Sequence, residues 1–306
     1  MSEPPTGEQF ELVAGDHRAA VVELGAGLRS YALGGVELLD TYHVSEVPGD
    51  ACRGEVLLPF ANRVDGGRYD WEGSELRLPL SEPELGHAIH GSARFMNWHG
   101  ERDGHDRVSM TLVLRPSKGY PFTLSLGLDY RLATGGLEVR TLARNVGASR
   151  APFVAGYHPY FATAAGGASS ASLRVPATTY LTLDERLIPT GRAEVAGTPV
   201  DFRAAKQIGD LEINACFTDL ERDADGLARV QLEPGDGRPA ITVAMDSNHE
   251  FVQLFTGDTL APSQARRGVA IEPMTGAPNA FRDGHGLIAL EPGEGFEGVW
   301  RIEPSA

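Results

Sequence analysis

The chain of 306 residues is 42% apolar and 23% charged, an ordinary globular composition able to bury a substantial core, and it reads as one domain over residues 1–306. Its 27 basic residues against 42 acidic ones give a net charge of −15 with no Lys/Arg block to offset it, which argues against nucleic acid and anionic membranes as partners and favours a neutral ligand. No window reaches the roughly 18 uninterrupted apolar residues of a membrane helix, and the opening MSEPPTGEQFELVAGD lacks the basic and apolar regions of a secretory signal.

A short disordered lead-in over about residues 1–10 and a cytoplasmic location are therefore expected. Period-two alternation then dominates the chain. RAAVVELG (18–25) is the first strand-like run. LLPFANRVDGGRYDWEG (57–73) places Asn62 and Arg63 between an apolar run and a hairpin-like DGG turn, and GHAIHGSARFMNWHG (86–100) carries His87, His90 and His99. VSMTLVLRP follows as a strand. In FTLSLGLDYRLATGGLEVRTLARNVG, Phe122, Leu124, Leu126, Leu128, Tyr130 and Leu132 share one parity, and Gly135 and Gly136 reverse the chain into a second strand, which predicts a hairpin with one buried face.

AGYHPYFAT (155–163) sets His158 between aromatics. Only short segments such as Asp201 to Ile208 have weak helical character. LARVQLEP, PAITVAMD and EFVQLFTGD continue the strand pattern, and VAIEPMTGAPNAF (269–281) brings Glu272 directly after an apolar run. The 37 glycines and 20 prolines fall almost entirely between these runs. The fold class predicted is all-β, a single large antiparallel sandwich with few short helices. LEPGDG and LEPGEG echo each other as strand-ending turns and do not mark a repeat.

Most of the candidate residues have an ordinary structural reading as well. His87 and His90, three apart on a strand, point to opposite faces, so they do not chelate one ion, and no metal site is expected; one of the two should be exposed and the other inward. Cys52 and Cys216 read as separate buried thiols. Arg63 follows apolar residues and Asn62, and an arginine brought inward suits forked bonding to hydroxyls or a carboxylate. Glu272 should end a buried strand and face a cleft, where burial would raise its pKa toward the range of a general base.

In chain order, NRV with a following G-x-Y, AIHG, GYHPYF, IEPMTGAPNAF and the closing ALEPGEGFEGVW resemble the aldose 1-epimerase (galactose mutarotase) family, from about Gly25 to the C-terminus. The resemblance implies a supersandwich with a carbohydrate cleft and cofactor-independent exchange of the α and β anomers of a free sugar such as glucose or galactose. By motif, Glu272 is similar to the family's general base and His158 to its general acid. His90 would assist at the same oxygens, Arg63 and Asn62 would bind hydroxyls, and Tyr157, Tyr160 or Phe161 would pack around His158, with Tyr160 facing substrate. Acid and base are expected at opposite edges of one pyranose.

Two positions depart from the family pattern: Ala162 stands where an Asn usually follows the Phe, and Asn214 where an acid grips sugar hydroxyls, with Asp210, Glu212 or Asp219 near enough to substitute. The alternatives are an epimerase of hexose 6-phosphates, for which Arg53, Arg68, Arg94 and Arg282 are available, and a non-catalytic sugar-binding module. The expected partner is a small-molecule sugar, and the expected assembly a monomer or homodimer.

Overall fold

The strand pattern seen in the sequence closes into two large sheets. The structure, a computed structural model, describes residues 3–305. The first sheet has nine strands in the spatial order His99–Asp103, Arg107–Leu114, Leu124–Ala133, Gly136–Asn145, Gly295–Pro304, Ile241–Met245, Ala228–Glu233, Ser172–Arg174 and Lys206–Gln207. The second runs Pro189–Glu194, Ala177–Leu183, Asn214–Leu220, Phe251–Phe255, Gly268–Met274, Gly156–Tyr157 and Val56–Leu57, with Tyr160–Ala162 as its eighth strand, also paired to Gly268–Met274. A four-stranded sheet begins at Gln9–Ala14. Every ladder is antiparallel, as alternation broken by glycine turns requires.

The predicted hairpin pairs Leu124 with Asn145 through Ala133 with Gly136, and Leu124, Leu126, Leu128, Tyr130 and Leu132 are all buried on one parity. Their face joins a cluster that also takes Phe217, Val252, Leu254 and Ile271 from the eight-stranded sheet. Tyr157 ties the sheets directly, its ring 5.1 Å from Trp300 and its hydroxyl bonded to Thr141. One core cluster therefore holds residues from Phe10 to Ile302.

Several expectations need correction. Asp201 to Ile208 is not helical: Arg203 turns back on Asp201 through its backbone N–H and its guanidinium, and Lys206–Gln207 joins the nine-stranded sheet. Such local side-chain capture competes with a helix. The four-residue helix is Ala280–Asp283 instead. The DGG turn does not make a hairpin, because Gly66 and Gly67 (φ 62° and 63°) swing the chain out of one ladder into another. Arg63–Asp65 pairs with His87–Ile89, and Arg68–Trp71 with Ser74–Arg77. In the lead-in, Thr6 is buried and the first strand begins at Gln9, whose side chain bonds Thr6. Cys52 and Cys216 are both buried thiols. Among the described residues no helix is long and apolar enough to cross a membrane.

Candidate active site

The pleat of the eight-stranded sheet sorts its residues onto two faces. In Gly268–Met274, Val269 and Ile271 enter the main core, so Ala270 and Glu272 take the opposite face. In the neighbouring Phe251–Phe255, Val252 and Leu254 go inward and Gln253 stands beside Glu272 as its register partner. Tyr157 points to the nine-stranded sheet, and His158, the next residue, turns outward. These residues meet in a cavity of about 960 Å³ whose wall includes Glu272, Gln253, Asn214, His158, His90 and Tyr160.

His158 and Glu272 face each other with Nε2 and Oε1 3.5 Å apart, both almost fully buried. His158 Nδ1 and Glu272 Oε2 have no hydrogen-bond partner among the described residues. Buried polar atoms are rarely left so. Burial raises the Glu272 carboxyl from 4.5 to about 8, against the opposing pull of Arg63, and burial drives His158 from 6.5 down to about 3. Both groups are thus held neutral at pH 7, with one proton between them. They sit side by side, not at opposite edges of a ring as expected, because Gly268–Met274 runs beside the segment that carries His158.

His90 completes the cluster edge-on to His158, with ring centroids 5.3 Å apart at 87°. Its Nδ1 accepts the Asn62 backbone N–H at 3.2 Å, which leaves the proton on Nε2 as a donor. Burial, then the charges of His158, Arg94 and Arg63, hold its pKa well below the usual value. Asn62 and His90 both have left-handed backbones (φ 56° and 64°), and the His90 N–H returns a bond to the Asn62 carbonyl. Strain of this kind persists where the surroundings enforce it. After it comes Gly91 (φ 67°), where a Cβ would lie 2.1 Å from the Leu58 oxygen. The AIHG spacing is thereby fixed.

The expectation that one of His87 and His90 is exposed is wrong, since both are buried. His87 Nε2 donates to the Arg186 carbonyl at 3.0 Å, and Nδ1 accepts the Gly66 N–H, so this ring braces loops away from His90. Arg63 does turn inward, but Nε and Nη2 are both spent on Glu82 at 2.7 Å. Asn62 Oδ1 accepts the Arg63 N–H, which uses one of its two acceptor positions. Asn214 Oδ1 accepts from Gln253 Nε2 at 2.7 Å. Tyr160 stacks on His158 at 5.1 Å, with its own hydroxyl unpaired.

Sequence reasoning missed Gln253, Glu82 and Glu55. Gln253 was findable from alternation in EFVQLF once its strand was placed beside Glu272. Glu55 is a buried cavity residue bonded to Arg94, and Arg94 also reaches Cys52 Sγ at 3.2 Å. Of the four arginines considered for a phosphate, Arg94 lines the cavity, Arg53 lies behind Tyr160 and pairs with Asp40, Arg282 pairs with Asp65, and Arg68 is exposed on its strand.

A family model described as aldose 1-epimerase matches residues 8–303. The chain is 33% identical to YihR of Escherichia coli K12, described as uncharacterized, over 290 residues, which are 94% of this chain and 91% of that protein. It is 31% identical to the galactose mutarotase of Rattus norvegicus over 173 residues, which are 51% of this chain and 46% of that protein. Among solved structures, an aldose epimerase homologue from C. elegans shares the fold with a TM-score of 0.84 at 18% identity, covering 98% of this chain and 99% of that one. The galactose 1-epimerase of Lactobacillus acidophilus does so with a TM-score of 0.79 at 22% identity, covering 100% and 98%. With a family match that omits only the two ends and a relative aligned over nine-tenths of both lengths, this chain belongs to the aldose 1-epimerase family.

Proposed function

We propose that the protein is a cofactor-independent aldose 1-epimerase that interconverts the α and β anomers of a free aldohexose such as glucose or galactose. The observation that carries this reading is the Glu272–His158 pair, 3.5 Å apart with one unpaired polar atom each, on the floor of a cavity open to solvent. The two oxygens that exchange protons in a hemiacetal hang on the same carbon, so adjacent acid and base groups suit them. The pair's one proton rests on Glu272 in the empty site and passes to His158 as the sugar enters, after which Glu272 takes the proton of the anomeric hydroxyl while His158 protonates the ring oxygen. The C1–O5 bond breaks, the C1–C2 bond rotates, and the aldehyde closes on its other face with both transfers reversed. His90 steadies the same oxygens through Nε2–H, and Asn214, Gln253 and the open edge of Arg63 bind hydroxyls.

A second reading, a hexose 6-phosphate as substrate, is favoured by two buried guanidinium nitrogens without partners, Arg94 Nε and Arg53 Nη2. Against it, Glu55 and Asp40 already neutralise those two arginines. Anomer exchange of glucose, galactose and glucose 6-phosphate, followed by polarimetry or anomer-resolved NMR, decides between them. Faster turnover of the free sugars is expected, preference for the phosphate selects the second reading, and tight sugar binding without exchange would leave a non-catalytic module.

A further inference from the structure

No bond to another residue orients the His158 ring. Its Nδ1 has no partner among the described residues, and its Nε2 stands 3.5 Å from Glu272 Oε1, beyond good hydrogen-bond length. A histidine that moves protons is ordinarily aimed by a hydrogen bond at its second nitrogen. Here packing holds the ring: His90 meets it edge-on, and Tyr160 lies nearly parallel to it, with centroids 5.1 Å apart at 23°. The Tyr160 hydroxyl is itself unpaired, so that ring too is fixed by the groups packed around it.

One of those groups is Arg53, whose guanidinium carbon lies 5.3 Å from the Tyr160 centroid. Arg53 is almost fully buried and does not line the cavity of Glu272 and His158. Its Nε donates to Asp40 Oδ2 at 2.8 Å, and Asp40 Oδ1 accepts from Arg267 Nη2 at 2.7 Å. The backbone sets this arrangement. Gly54, next to Arg53, donates its N–H to the His158 carbonyl at 2.9 Å, and the Asp40 N–H bonds the Tyr160 carbonyl at 2.8 Å. A desolvated cation grips an aromatic face more firmly than an exposed one. Its charge also reaches the histidine: burial is the chief cause of the low pKa of His158, and the charges of Arg94 and Arg53 add to it.

We propose that Arg53, anchored by Asp40, is a positioning residue for anomer exchange, acting through the Tyr160 ring to aim the imidazole of His158. The proposal rests on the reading of His158 as the general acid. A cation near the ring also disfavours the imidazolium, which makes it a readier donor to the ring oxygen once it forms.

The test compares two variants in anomer exchange of glucose from acid to alkaline pH. Arg53→Met keeps the length of the side chain without its charge, and Arg53→Lys keeps the charge. Arg53→Met should lower kcat about tenfold, since misplacing a reacting group by about 1 Å costs up to ~10²-fold, and should leave KM unchanged. Exchange is lost at acid pH when a second proton joins the Glu272–His158 pair. Without the Arg53 charge that loss should begin about one pH unit higher, while the fall above about 8 stays in place. Arg53→Lys should return the acid limb to its wild-type position. An unchanged kcat in Arg53→Met, or an acid limb that it leaves in place or that Arg53→Lys shifts as well, overturns the proposal. Should Arg53→Met fail to fold, Asp40→Asn loosens the same anchor with Arg53 still charged: kcat should fall at constant KM with no upward move of the acid limb, and full activity overturns the proposal. Should the wild type exchange neither glucose nor galactose, the catalytic reading fails, and the imidazole NMR signals of His158 still decide the contact. Titration at higher pH in Arg53→Met supports it; unchanged titration overturns it.

Discussion

Burial fixes the protonation of Glu272 before any sugar arrives, and the consequences run in opposite directions for activity and for stability. With Glu272 at about 8 and His158 at about 3, the pair keeps its single shared proton across neutral pH and loses it above about 8. The kcat/KM for anomer exchange should therefore hold level through neutral pH and fall above about 8, and a profile still rising at pH 9 would contradict the shared-proton state. Replacing Glu272 with Gln keeps the shape of the site but cannot accept the proton, so exchange should fall by ~10² to 10⁴-fold with sugar binding retained. Stability moves the other way. Between 4.5 and about 8 the folded protein binds more protons at Glu272 than the unfolded chain, so this residue lowers stability as pH rises through that window. At ~1.4 kcal/mol per pH unit the full cost is on the order of 5 kcal/mol. Glu272→Gln should accordingly unfold at higher denaturant than wild type at pH 9 and converge with it near pH 5. His158 has the opposite sign, its stabilising share being lost as pH falls from 6.5 toward about 3. At this scale the sequence was legible where a residue sits in an ordered motif, as Glu272, His158 and His90 do. It was silent on Gln253, Glu82 and Glu55, whose places depend on register and on partners distant in the chain.

The strands themselves were readable because a two-residue period exposes which face each side chain takes, as the parity of Leu124 to Leu132 shows. What alternation does not reveal is which strands become neighbours, hence the misread DGG turn and the unforeseen strap between Ser74–Arg77 and His87–Ile89. Residues 81 to 85 of that strap line the cavity, and Glu82 grips the Arg63 fork from it. Arg186, from a separate loop, fastens the strap: its guanidinium donates to the Leu85 carbonyl at 3.0 Å and pairs with Asp65 at 3.0 Å. Removing this clasp leaves the Glu272–His158 floor untouched while freeing the wall. Arg186→Ala should speed amide exchange over residues 81 to 86 and raise KM several-fold with kcat nearly unchanged. A matching drop in kcat would mean that the strap reaches the chemistry. Glu82→Gln should raise KM as well, by about tenfold, since a partly buried two-point ion pair orients Arg63 and an amide cannot bind both of its donors as strongly. Unchanged sugar affinity in that variant would show that Arg63 needs no such hold.

Across the whole molecule, the sandwich lends its two sheets different work: the nine-stranded sheet supplies a continuous apolar face, and the eight-stranded sheet carries the core on one side and the cavity of Glu272 and His158 on the other. Within the cavity wall, Arg63 is matched by Glu82 and Arg94 by Glu55, so the local field is close to balanced while the chain as a whole carries −15. A neutral sugar feels neither. Its kcat/KM should stay constant as ionic strength rises from about 0.01 M to 0.3 M, over which the screening length shrinks from roughly 30 Å to below 10 Å. A sugar phosphate approaches the same molecule as a dianion against a net negative surface, and its rate should climb several-fold over that range as the repulsion is screened. The sign of the salt effect thereby separates the two substrate readings independently of absolute rates. A phosphate rate that falls with salt would mean that the unpaired nitrogens of Arg94 and Arg53 draw the dianion in strongly enough to outweigh the charge of the entire chain, and the hexose 6-phosphate would then be the substrate the cavity is built for.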